Sequence, residues 1–71
     1  MNDRLVITNI VETLGRNGAL KMDDLFKSVK KLHGDVERRF FEETLMVLEL
    51  QGVVRVYNIS RGKSRVELVK G

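Results

Sequence analysis

The chain reads as an α+β domain, three helices closed by a C-terminal β-hairpin, and three observations carry that reading. Apolar residues recur at helical spacing through the first fifty or so positions and then alternate with polar ones after Gly52. Glycine and short polar residues stand at the joints, in Gly15-Arg16-Asn17-Gly18, His33-Gly34-Asp35 and Ser60-Arg61-Gly62. Charge is divided the same way. Residues 53–71 hold Arg55, Arg61, Lys63, Arg65 and Lys70 against Glu67 alone, a balance of +4, whereas residues 1–52 hold eight Lys/Arg and nine Asp/Glu. The whole net charge of +3 therefore belongs to the hairpin, the pattern of an element that meets something anionic.

The spacing predicts a first helix over about 3–15, capped by Asp3, with Ile7, Ile10, Val11 and Leu14 on its apolar side and Arg4, Thr8, Asn9 and Glu12 on the other. Ala19 to Met22 is too short for a free strand but can pair with another strand's edge. A second helix over about 23–33 opens on Asp23 and Asp24, which place negative charge at its positive end. Leu25, Phe26, Val29 and Leu32 form its stripe, leaving Lys27, Lys30 and Lys31 outside. Gly34 then serves as a C-terminal cap and Asp35 as the next N-cap. The third helix, about 36–51, carries Val36, Phe40 and Val47 on one stripe and Phe41, Leu45 and Leu48 on a second beside it, and Gly52 stops it.

The hairpin, about 53–69, is expected to turn through a three-residue Ser60-Arg61-Gly62 loop with Gly62 left-handed. That register pairs Ile59 with Lys63, Tyr57 with Arg65 and Arg55 with Glu67 on one face, and Val56 with Val66 and Val54 with Leu68 on the other. A two-residue Arg61-Gly62 loop would mix apolar and basic residues on both faces, which argues against it.

Seventy-one residues make one domain, 1–71, without repeat, linker or low-complexity stretch. The absence of cysteine excludes disulfides and thiolate metal sites. No run approaches a membrane span, and the N-terminus lacks the pattern of a signal peptide, so a cytoplasmic protein is expected. His33 is the sole imidazole and sits in a turn, while Asp23-Asp24 and Glu42-Glu43 are neighbours whose side chains diverge around a helix. Neither a phosphate-cradling glycine loop nor zinc-ligand spacing is present, so no catalytic residue, metal, cofactor or small-molecule ligand is expected, and the chain does not read as an enzyme.

The order helix, short strand, helix, tight turn, longer helix, Gly, hairpin resembles the winged-helix family, a helix-turn-helix with a β-hairpin wing. Phe40 to Val56, with its third helix ending in Leu-Gln-Gly before a β-branched strand, carries most of the likeness, and Leu20 to Leu25 resembles the family's entry into its second helix. The resemblance covers nearly the whole chain. It implies a double-stranded DNA binder in a transcription or chromosome-maintenance role, nucleoid-associated, with the third helix in the major groove and the wing on phosphates. Carried over, the groove-facing positions would be Glu37, Arg38, Arg39, Glu42 and Met46, and the wing contacts Arg61, Lys63 and Arg65, with Tyr57 flanking them. One feature departs from that pattern: Asp35 to Gln51 holds five acids and two basic residues, which opposes the phosphate neutralisation that supplies most DNA affinity. The alternative expectation is a protein-contact domain or homodimer in which the third helix offers Leu45 and Met46.

Overall fold

The alternation after Gly52 becomes a sheet, and the helical spacing before it becomes three helices packed on one side of that sheet. The structure, a computed structural model, describes residues 3–69: α1 (Asp3–Asn17), β1 (Ala19–Lys21), α2 (Met22–Leu32), α3 (Arg38–Leu50), β2 (Val54–Ser60) and β3 (Lys63–Leu68). The three strands are antiparallel in the order β1-β3-β2, so the last strand is the central one. This α+β arrangement is consistent with a winged-helix-like layout. No helix among the described residues is long and apolar enough to cross a membrane. The cap expected at Asp3 and the cation Lys70 lie outside the described side chains.

Helix ends follow glycine where the backbone turns left-handed. α1 runs two residues further than its spacing suggests, because Gly18, at φ 82°, takes the turn and its N–H donates to Leu14 O at 2.6 Å. Asn17 Nδ2 donates to Thr13 O and covers a second terminal carbonyl. α3 ends in a Schellman motif: with Gly52 at φ 79°, its N–H bonds Glu49 O and the Val53 N–H bonds Leu48 O.

The joint between α2 and α3 departs from expectation. Gly34 has no positive φ, and the C-cap of α2 is His33, whose N–H bonds Val29 O. Asp35 does not cap α3; the N-cap is Glu37 in extended conformation, with no side-chain cap bond, and α3 starts at Arg38 rather than Val36. Val36 explains the shift. Its side chain is 3% exposed and plugs the core from the loop, which keeps the backbone extended for two residues.

The core comprises Val6, Ile10 and Leu14 of α1, Leu25 and Val29 of α2, Val36, Phe41, Leu45 and Leu48 on and before α3, and Val54 and Val66 of the sheet. Asn9, placed by spacing on the solvent side of α1, is instead buried with Ile10 and Leu14, as is Thr13, whose hydroxyl donates to Asn9 Oδ1 at 2.9 Å. Of the two stripes on α3, the one through Phe41, Leu45 and Leu48 faces inward. Phe40 is half-buried and Val47 exposed, because the helix rotates to seat Phe41 against Phe26, ring centroids 5.1 Å apart. Leu32, expected in the α2 stripe, is exposed in that helix's last turn.

The hairpin pairs Val54 with Leu68, Arg55 with Glu67, Val56 with Val66 and Tyr57 with Arg65, as the alternation requires. The tip differs. Asn58 opposes Ser64 and Ser60 opposes Lys63, so the ladder shifts at Ile59 and the loop is the two residues Arg61-Gly62, with Gly62 at φ 74°. One irregular residue absorbs the shift, so a two-residue loop does not mix the faces.

Phe41→Ala is expected to lower the unfolding free energy by about 3–5 kcal/mol, since it empties a fully buried aromatic site. Leu50→Ala, at an 82% exposed position, is expected to change it by less than about 0.5 kcal/mol. Urea denaturation followed by circular dichroism checks both, and equal losses would contradict this core.

Candidate nucleic-acid interface

Antiparallel pairing sets the outward face of the sheet row by row. Because Val66 pairs with both Leu20 and Val56, the row Leu20–Val66–Val56 faces the helices. The rows on either side must then face out: Lys21–Arg65–Tyr57, and Ala19–Glu67–Arg55. Lys63 and Ile59 continue towards the tip, where Arg61 occupies the turn. Lys21, Arg55, Arg61, Lys63 and Arg65 are all exposed on this element, with Glu67 as its acid. None of the five forms a salt bridge among the described residues. Between the hairpin tip and the first turns of α2 and α3 lies an open groove, whose lining includes Lys21, Lys27, Lys63 and Arg65.

Arg38 faces the same groove, but its guanidinium is engaged. Nε donates to Glu42 Oε2 at 2.8 Å, and Nη1 donates to Asp23 Oδ1 at 2.9 Å. The guanidinium carbon also stands 5.1 Å from the Phe26 ring centroid and 5.9 Å from that of Phe41. Hydrogen bonding to Glu42, opposed by partial burial and reinforced by Asp23, holds its pKa above the ordinary arginine value. The side chain ties the first turn of α3 to the first turn of α2 and roofs two core aromatics. Arg39, one step further round the helix, does not line the groove and reaches Glu43 only at 4.0 Å.

Tyr57, Arg61, Lys63 and Arg65 are thus brought together, and Arg38 and Arg39 are not part of their face. Lys21 and Arg55 complete it. Sequence reasoning left both out: Lys21 belongs there through the β1–β3 register, which a three-residue segment does not announce. Arg55 falls on this face by alternation, opposite Glu67, but is not among the expected contacts. The neighbouring Tyr57 phenol, with the charge of Glu67 behind it, raises the Arg55 pKa above its ordinary value.

The outward side of α3 has a different character. Met46, Val47 and Leu50, at i, i+1 and i+4, are 54%, 47% and 82% exposed, beside Glu43 and Glu49. Leu45 is 2% exposed and lies in the core, so it offers no contact surface; of the pair Leu45 and Met46, only Met46 does. Among the described residues no group of three or more His, Asp or Glu comes together as a metal site would require. No family model matches the chain, and comparisons with curated proteins and with solved structures return no significant match.

Arg38→Ala is expected to cost about 1 kcal/mol of stability, through two partly exposed ion pairs and two ring contacts. It should lower nucleic-acid affinity less than Arg65→Ala does. Thermal melts and fluorescence anisotropy on the two variants check this, and the reverse order would return Arg38 to the binding face.

Proposed function

We propose that this chain is a nucleic-acid-binding module of winged-helix type, with the β2–β3 hairpin as its wing and phosphate contact as its main source of affinity. The observation that carries the reading is the contrast between cations. Those of the hairpin and β1 stand exposed without ion-pair partners, whereas both arginines of α3 are next to glutamates. Arg38, held by two carboxylates, has little to offer a phosphate, and Arg39, exposed but 4.0 Å from Glu43, stands apart from the sheet face; the unpaired cations of the sheet release counterions when they bind. DNA in a transcription or chromosome-maintenance setting, within the cytoplasm or nucleoid, is the ligand this surface suits. The apolar and acidic outward side of α3 disfavours its entry into a major groove, so binding is led by the hairpin and β1.

A second reading rests on Met46, Val47 and Leu50, an exposed apolar strip of the kind that contacts protein. The combined substitution Arg61→Glu, Lys63→Glu and Arg65→Glu separates the two, since it removes phosphate binding and leaves this strip untouched.

For the unsubstituted chain, three to four phosphate contacts predict a slope of about −2 to −4 in log affinity against log salt concentration. The triple charge reversal is expected to abolish binding with the circular dichroism spectrum unchanged. Affinity that holds constant from low to moderate salt would refute the proposal.

A further inference from the structure

Cations on a sheet serve any phosphate backbone, so what distinguishes a strand from a duplex must lie beside them. Tyr57 is the exposed aromatic residue of this face, 42% accessible, in the row with Arg65 and Lys21. Its hydroxyl donates to Glu67 Oε1 at 3.4 Å, although Glu67 belongs to the next outward row of the neighbouring strand. The side chain of Tyr57 thus joins two outward rows of the sheet, with Arg55 two residues before it on the same face. Beyond Tyr57 towards the tip, Ile59 is 53% exposed and extends the apolar surface, while Lys63 and Arg65 stand opposite on β3.

We propose that this face is a stacking platform for an unpaired base, with Tyr57 as the stacking residue, so that the domain takes single-stranded nucleic acid in preference to duplex. The inference rests on the reading above that the same face contacts phosphates. An exposed ring flanked by cations matches the two requirements of strand binding, a π-surface for the base and positive charge along the backbone. Bases in a duplex are stacked on one another and show only their edges, so engaging Tyr57 there requires extruding one. On α3 the outward residues are mainly methionine, valine, leucine and glutamate, with Arg39 near Glu43 as the exposed cation, so that helix gives a duplex little to compensate for the extrusion.

The chain contains one tyrosine and no tryptophan, so its intrinsic emission reports Tyr57 alone. The test titrates the full chain with a twelve-nucleotide oligothymidine and with a mixed-sequence twelve-base-pair duplex at one salt concentration. Anisotropy of the labelled nucleic acid and tyrosine emission are followed together. The expected result is tighter binding of the strand, with quenching of tyrosine emission at saturation. Tyr57→Ala should weaken strand binding roughly tenfold, within the range for one lost base stack, and duplex binding less than twofold. Tyr57→Phe should retain most of the strand affinity, and Tyr57→Leu, which keeps an apolar residue in the strand, should behave as the alanine variant; circular dichroism confirms that each folds. Strand binding without quenching, or equal loss for strand and duplex in Tyr57→Ala, overturns the platform and leaves phosphate binding standing. Failure of both nucleic acids to bind overturns the platform and the proposed function together.

Discussion

The face this domain presents depends on the burial of Val66. It sits at the middle of the central strand, fully inaccessible, between Leu20 of β1 and Val56 of β2. Burying a valine completely contributes about 1.5–3 kcal/mol. A slip of one residue would replace it in the core with Arg65 or Glu67 and leave an ionised group unpaired there. Register is therefore held from the inside, and the outward direction of Lys21, Arg55, Lys63 and Arg65 follows from it. The basic surface is a by-product of core packing, in place before any ligand arrives. Its backbone is in place beforehand, so only side chains need ordering on binding.

Arg38 does for the helices what Val66 does for the sheet. By bridging Asp23 and Glu42 above Phe26 and Phe41, it sets the first turns of α2 and α3 against each other and against the hairpin groove. Each contact is modest, since the partners are partly exposed. Together they withdraw from solution the cation best placed on α3 to meet a nucleic acid. The outward side of that helix is left to Met46, Val47, Leu50, glutamates and Arg39 near Glu43, so the division of charge visible along the chain becomes largely a division between two surfaces.

Much of this was legible in the sequence where one physical signal dominated. Hairpin pairing from Val54 to Tyr57 followed from alternation, because a one-residue slip mixes the faces, and Gly52 and Gly62 marked the turns that need a left-handed backbone. Where two signals competed, the pattern was insufficient. Val36 fits a helical stripe as well as a buried loop plug, and only packing decides that it is the plug. Phe40 and Phe41 are adjacent aromatics that cannot both face inward, and the contact with Phe26 chose Phe41. Asn9 reads as solvent-facing because hydropathy cannot register the hydrogen bond from the Thr13 hydroxyl that accompanies its burial. On the candidate site, residue type identified Tyr57, Arg61, Lys63 and Arg65. Long-range contacts decided the rest, adding Lys21 through β1–β3 pairing and withdrawing Arg38 through Asp23, fifteen residues away.

The central claim is that the sheet's outward face, and not α3, is the nucleic-acid surface. Amide chemical-shift mapping of the isotopically labelled chain during titration with an oligonucleotide, at low and at moderate salt, tests it most directly. The account predicts shifts concentrated on Lys21, Arg55, Tyr57 and the segment 59–65, shrinking as salt rises, with Met46, Val47 and Leu50 unmoved. Shifts centred on α3, or shifts indifferent to salt, would contradict it.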